Sequence, residues 1–465
     1  MSRPNILFIM SDDHASHAMS CYGSRINQTP NLDRIAQNGM ILQNCFCVNS
    51  ICTPSRANIL TGQYSHRNGI KTLADQFDGR TAHVGKMLQE SGYQTAMIGK
   101  WHLGHGEPYN PTGFDYWNVL PGQGLYHNPV MINEEGQQVY QGYATDLITD
   151  FSLNWLENRN LERPFFLMCH HKAPHRPWDS DDKHAQMYED YDIPLPETFF
   201  DNYANRSNAA KEAKMRVAQD MNEQDLKIEK LGPPPEGLSV AQLADWKYQR
   251  YIKEYLRCVA SIDDNVGRLL DYLDEFDLTD NTMVIYTSDQ GFFLGDHGWY
   301  DKRFMYEESL RMPFVVSYPP EIEPGSSCNA MALNVDFAET WLDYAGLPIP
   351  DDMQGKSLRP LFNGETPEGW QTSMYYRYWM HLTHHYVAAH YGVRTSRYKL
   401  IYYYGEALGT AGSVDESKTP EWELFDLEKD PLEMNNVYDH PDYADVVVDL
   451  KEELYRLKAE VGDEE

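Results

Sequence analysis

Asn5-Ile-Leu-Phe-Ile-Met10-Ser-Asp-Asp13 is an apolar run that gives way almost at once to two carboxylates. A run this short and unbroken reads as a strand covered on both faces, the environment of a parallel sheet. Three more segments repeat the pattern. Thr95-Ala-Met-Ile-Gly99 ends at Lys100-Trp101-His102. Phe165-Phe-Leu-Met-Cys169 ends at His170-His171-Lys172-Ala173-Pro174-His175. Thr282-Met-Val-Ile-Tyr-Thr287 ends at Ser288-Asp289-Gln290-Gly291. Ligands of open α/β sheets bind beyond the carboxyl ends of the strands. Four strands that each deliver ionisable residues there predict an α/β fold. Its core is a large, mostly parallel central sheet flanked by helices, with one site along the C-terminal edge.

Outward from these strands, Thr29-Pro-Asn-Leu-Asp33 reads as a helix start. Residues 248–276 carry Tyr251, Tyr255, Val259, Ile262, Val266 and Leu270 at helical spacing, a stripe that belongs to core packing. Between about 180 and 250 the chain is charged, helix-prone and punctuated by Gly232-Pro-Pro-Pro235, and reads as a surface insertion in a catalytic domain spanning 1–364. Residues 365–465 turn strand-rich at 373–379, 388–395, 398–404 and 423–426, with a helix at 444–459. They are expected to form a small C-terminal α+β subdomain, an antiparallel sheet plus helix.

The 465 residues include 39 basic and 70 acidic side chains, a formal net charge of −31. That balance excludes bulk nucleic-acid binding, which needs a basic footprint. It is also the wrong sign to attract an anionic substrate from a distance, so an anion site must be built locally. No apolar run approaches a membrane span, so no membrane partner is expected. The apolar part of Met1–Met10 is too short for a signal peptide. A cytoplasmic location, or a periplasmic or secreted one after removal of a signal, both remain open. The seven cysteines, Cys21, Cys45, Cys47, Cys52, Cys169, Cys258 and Cys328, show neither zinc spacing nor a disulfide framework.

Cys52-Thr-Pro-Ser-Arg56, followed by Leu60-Thr-Gly62, resembles the signature of type I, formylglycine-dependent sulfatases of the alkaline-phosphatase-like superfamily. Taken alone, Cys52 is equally an ordinary buried thiol. The resemblance covers nearly the whole chain outside the insertion, and reaches Tyr398-Lys-Leu-Ile401 and Glu423–Pro431 in the small subdomain. It implies that a formylglycine-generating or anaerobic maturation enzyme oxidises Cys52 before folding. The hydrated aldehyde then attacks sulfur, the alcohol departs, and the second hydroxyl expels the sulfate.

Asp12, Asp13 and Asp289 stand on strand ends with Gln290 adjacent. Three converging carboxylates would repel one another and raise their pKa values. A hard divalent cation resolves this, and oxygen ligands favour Ca2+, with Mg2+ second, over zinc. The resemblance adds modified Cys52 to the metal ligands Asp12, Asp13, Asp289 and Gln290. Many members carry Asn at the last position, and Gln still offers a carbonyl oxygen. Arg56 lies one helical turn beyond Cys52 and can face the same side. Lys100 and His102, two apart on an extended segment, are expected to point the same way.

The resemblance also places Arg56, Lys100 and Lys302 on the sulfate, makes His102 the base that releases it, and makes His175 the acid at the leaving alcohol. His14, His170, His171 and His297 border the expected pocket. His381 and His385 lack the acidic base of a zinc motif. The stretch His390-Tyr-Gly-Val-Arg394 is expected at the pocket rim, against a sugar. The expected substrate is a sulfated sugar or oligosaccharide, with the look of N-acetylglucosamine-6-sulfatases. Two other readings stay open. One is a phosphonate monoester or phosphodiester hydrolase of the same superfold. The other is a non-catalytic protein that binds sulfated glycans and keeps Cys52 as a thiol.

Overall fold

The computed structural model describes residues 3–464. Twelve strands precede residue 340: β1 Asn5–Ser11, β2 Met40–Phe46, β3 Gln94–Lys100, β4 Tyr116–Leu120, β5 Val130–Asn133, β6 Gly136–Val139, β7 Phe165–His170, β8 Thr282–Ser288, β9 Phe293–Leu294, β10 Tyr300–Asp301, β11 Phe314–Ser317 and β12 Ser326–Leu333. Ten of them form one sheet in the order β12-β2-β11-β8-β1-β7-β3-β4-β5-β6, and β9 and β10 make a separate two-stranded ribbon. The four strands read from the sequence are its adjacent central members, and β8-β1-β7-β3-β4 run parallel. Antiparallel pairing enters only toward the edges, at β8–β11, β11–β2, β4–β5 and β5–β6.

Register brings the strand ends level. Ser11 pairs with Ser288, Met10 with His170, and Gly99 with His170. The residues that follow therefore emerge side by side. Every residue of β1, β7 and β8 is buried, and each large aliphatic side chain so covered contributes about 1.5–3 kcal/mol.

One face of the sheet is covered by the helix Val240–Glu275, together with Ala144–Glu157. The long helix follows a capping box between Ser239 and Gln242, and its first residue, Val240, lies eight residues before Tyr248, where the helical segment reads from the sequence. The other face packs on Val84–Glu90, Phe337–Tyr344 and Cys52–Thr61. All ten residues of Cys52–Thr61 are buried, so this helix lies inside the protein and shows no polar face. The segment 180–250 differs from expectation. Its helix is confined to Asn208–Glu212, Ile228–Leu231 and the first turns of the long helix. Ile193, Phe199, Tyr203, Met215 and Val217 are buried, so tertiary packing rather than helix propensity holds it.

Beyond residue 372, β13 Ser373–Tyr378, β14 His390–Thr395, β15 Tyr398–Tyr403 and β16 Glu421–Asp426 form an antiparallel sheet. The helix Ala444–Glu460 closes it through Leu450, Leu454 and Leu457. Among the described residues, no helix is long and apolar enough to cross a membrane.

The buried helix ends at Gly62, whose φ is +66° and whose added Cβ would lie 2.6 Å from Glu339 Oε1. Gly62→Ala should therefore destabilise the fold by about 1–3 kcal/mol, through left-handed strain plus that clash. Gly23→Ala, with φ +81° and nothing within 4 Å, meets the strain alone. Thermal melting of the two variants checks this. Equal losses would show that Glu339 yields freely.

Candidate active site

The site is assembled where β1 and β8 end. Asp13 turns back at φ +70°. Its amide donates to Asp289 Oδ1 at 3.2 Å, and Gln290 Nε2 donates to Asp13 Oδ1 at 2.5 Å. Asp12, Asp13 and Asp289 are fully buried and each offers an oxygen within 4.8 Å of the others. Asp12, Cys52 and His175 form a second such group. The structure thus gathers the residues expected to hold a metal. Asp12 Oδ1, Asp13 Oδ2 and Gln290 Oε1 accept no hydrogen bond. Buried oxygens left so are costly, and an all-oxygen donor set fits a hard divalent cation. Burial foremost, with Asp289 and Asp301 adding to it against Lys302, pushes the Asp13 carboxyl up to about 6.

Three basic groups face these carboxylates. From the buried helix, Arg56 reaches Asp289 Oδ2 at 3.0 Å, Asp12 Oδ2 at 3.5 Å and the Lys100 carbonyl at 2.6 Å. Lys100, at the end of β3, pairs with Asp12 and donates to Gln123 Oε1. Lys302 follows the β9–β10 ribbon and pairs with Asp13 Oδ1 at 2.5 Å. Burial drives Lys100 well below the ordinary lysine range, against the pull of Asp289. At Lys302 burial acts the same way, but Asp13 and Asp301 prevail and hold the ammonium above its usual value.

His102 does not continue the extended path of β3. Its backbone is left-handed, φ +55°, so the alternation expected for Lys100 and His102 does not apply. The ring meets Thr53 instead. Thr53 Oγ1 spends its hydrogen on the His102 carbonyl at 3.0 Å, so His102 Nδ1, 3.3 Å from Oγ1, carries the hydrogen of that pair and Nε2 is left as an acceptor. His175 Nδ1 is likewise the donor to the Arg176 carbonyl at 2.6 Å, and its Nε2 faces Asp13 Oδ2 at 3.8 Å. Burial first, then nearby lysines, holds both imidazoles well below their usual pKa, so both rings are neutral here.

The other histidines of the expected pocket are engaged by neighbouring groups or buried. His14 bonds Tyr286 at 2.5 Å, His170 lies between Arg56 and the Lys100 carbonyl, His171 is buried, and His297 pairs with Asp201 at 3.3 Å. His381 Nε2 meets the Glu416 carbonyl and His385 Nε2 meets Asp301, so the two share no ligand position. The expectation of a sugar contact from His390–Arg394 is corrected. His390 is buried between the Ala388 carbonyl and the Met305 amide, and Arg394 pairs with Glu307 at 3.1 Å over the Phe46 ring. Both tie β14 to the main body.

Several groups at the site went unread in the sequence. Gln123 comes from a loop. Asp301 collects Arg176 at 3.1 Å, Arg303 at 3.4 Å and His385 at 3.0 Å. Burial would raise its carboxyl, but Arg303, Lys302, His385 and Arg176 hold it well below the usual range. The run Asp301-Lys302-Arg303 is the signal that the sequence offers for it. A groove of about 680 Å³ is lined by Lys172, Pro177, Trp178 and Asp179, from the segment that carries His175, and by Tyr126.

Comparison with known proteins bears on the same residues. The family model described as Sulfatase matches residues 4–347, and one described as N-sulphoglucosamine sulphohydrolase, C-terminal, matches 295–460. An N-acetylglucosamine-6-O-sulfatase of Bacteroides thetaiotaomicron is 42% identical, over 99% of this chain and 87% of its own length. The human N-acetylglucosamine-6-sulfatase is 26% identical, over 81% and 67%. A solved structure of a protein in complex with its substrate D-glucosamine-2-N,6-O-disulfate superposes with TM-score 0.93 at 41% identity, covering 100% of this chain and 99% of that one. A phosphonate monoester hydrolase from Silicibacter pomeroyi, at 20% identity and TM-score 0.76 over 99% and 96%, shares the fold.

The three orphaned oxygens give a test independent of turnover. A cation that binds only the folded form stabilises it by about 2.7 kcal/mol at 100 times its Kd. Calcium added to chelator-treated protein should raise the melting temperature, and Asp12→Asn should remove most of that rise. A wild-type melting temperature indifferent to both chelator and calcium would contradict the assignment.

Proposed function

The chain belongs to the sulfatase family and is a sulfuric ester hydrolase, and we propose that it removes sulfate from monoesters on a sugar or oligosaccharide, with 6-O-sulfated glucosamine derivatives first among them. The full-length relative named for that activity, and the related structure holding a sulfated glucosamine, support the sugar. The observation that carries the chemistry is the meeting of Cys52 with three buried carboxylates and three basic side chains in one place.

As a thiol, Cys52 is a poor nucleophile here. Burial above all pushes it up to about 11, so at neutral pH the sulfur keeps its proton. We infer that Cys52 is matured to formylglycine, which supplies a hydrated aldehyde as nucleophile, and that Asp12, Asp13, Asp289 and Gln290 hold a calcium ion, which supplies charge to activate it. Cys52 is 1% exposed, so a maturation enzyme would have to act before the chain closes over it.

The chain's own residues then divide the work. Arg56 orients Asp289 and Asp12 and adds positive charge beneath the reacting group. Lys302 neutralises Asp13 in the free site and Lys100 is paired with Asp12, and both side chains are placed to meet the oxygens of an ester sulfate, whose negative charge favours the protonated form of Lys100. His102 Nε2 has its lone pair free and serves as the base. His175 Nε2 must bring a proton to the departing sugar oxygen. An incoming sulfate opposes the lysine charges that depress this imidazole, and so favours its protonated form.

Cys52→Ala should abolish sulfate release while leaving the melting temperature near that of the wild type. Activity retained in that variant would remove the central role of Cys52. His175→Ala should depend on the leaving group. A sugar alkoxide needs its proton and should lose about 10²–10⁴-fold in kcat, whereas an aryl sulfate should lose far less. Equal losses on both would mean that His175 does not deliver that proton.

A further inference from the structure

The groove lined by Tyr126 and Trp178 has one basic group unlike the rest. His127 lies 3.5 Å from Asp179, Lys230 3.1 Å from it, and Lys227 sits 2.8 Å from Asp179 and 2.5 Å from Glu254. Their charges are already answered. Lys172 is 2% exposed and makes no direct ion pair among the described residues; Asp13 favours its charge only from beyond that distance. Its ammonium rests 4.4 Å from the centroid of the Tyr126 ring. A buried ammonium without a counter-ion is expensive, and a ring face compensates little of that cost. In a chain of net charge −31, carboxylates to pair it were plentiful. Lys172 is among the residues that line the groove.

Groove and reaction centre share a wall. Lys172 lies three residues before His175 and its carbonyl accepts the His175 amide at 3.1 Å. Tyr126, under the ammonium, donates its hydroxyl hydrogen to the His175 carbonyl at 2.7 Å. Lys172 and His175 thus stand on one wall, and the charge of the ammonium is felt at the imidazole.

Resting on the sulfatase reading above, we propose that Lys172 recognises a second anionic group of the substrate, so that the preferred substrate is a glycan carrying another negative charge near the ester that is cut. The second charge is either an N-sulfate on the same ring or the carboxylate of a neighbouring uronic acid. Both present oxygens to one ammonium.

The test compares kcat/KM for three 6-O-sulfated glucosamines: N-acetylated, N-sulfated, and N-acetylated but linked to a uronic acid. The wild type should prefer one charged form over the N-acetylated sugar by about 10–100-fold, the size of one charge-assisted hydrogen bond. Lys172→Met should bring that ratio close to one, and Lys172→Arg should restore part of it. The form that loses its advantage identifies the anion. The proposal falls if the wild type shows no preference, a result that needs no variant. It also falls if Lys172→Met lowers all three substrates by one factor, which would put the ammonium on the reacting sulfate. Wild-type protein with matured Cys52 that releases sulfate from none of them would overturn the sulfatase reading instead.

Discussion

Three carboxylates, Asp12, Asp13 and Asp289, are held together without exposure to water, and the surrounding structure answers their repulsion. Arg56, Lys100 and Lys302 each pair with one or more of them, leaving oxygens of Asp12 and Asp13 for a cation. The level ends of β1, β3, β7 and β8 set the spacing. Gly99 keeps β3 against β7, since a Cβ there would collide with the His170 carbonyl. Asp13, His102, Asp301 and Arg303 all have positive φ. Strain of about 1–3 kcal/mol at each is carried by the buried sheet and by the interior helix Cys52–Thr61.

Charge is distributed on two scales. The whole molecule is strongly acidic and repels anions at long range. The site offsets that sign locally by setting buried basic groups against its carboxylates, where solvent screens them least. Asp301 is central to this arrangement. By pairing with Arg176, Arg303 and His385 it fixes the end of the β9–β10 ribbon, and thereby Lys302, from three directions. One ionic cluster thus joins the catalytic sheet, the segment after β7 and the small subdomain.

The central sheet was legible because its strands are unbroken apolar runs, and a parallel sheet buried on both faces leaves no other use for them. Asp12, Asp13, Cys52, Arg56, Lys100, His175, Asp289, Gln290 and Lys302 do meet in one place, because strand ends and the start of a buried helix converge there. Side chains supplied by loops outside those motifs were not legible. Gln123 and Lys172 gain meaning only from what faces them, and Asp301 from three distant partners. Periodicity failed at His102, where one left-handed residue ends the alternation. Aromatic and histidine composition suggested a sugar rim at His390–Arg394, yet His390 and Arg394 fill the seam between the two sheets and Tyr391 packs against Tyr375, Tyr402 and Tyr404. Between 180 and 250, helix propensity gave way to a few buried anchors.

The fold also serves phosphonate monoester hydrolases, so the reacting atom must be decided by chemistry. The most direct measurement supplies matured protein with 6-O-sulfated N-acetylglucosamine and, separately, an aryl phosphonate monoester, and follows inorganic sulfate and the aryl alcohol. Catalytic release of sulfate from the sugar, at a higher kcat/KM than cleavage of the phosphonate, is the predicted result. Phosphonate cleavage with no sulfate released would contradict it.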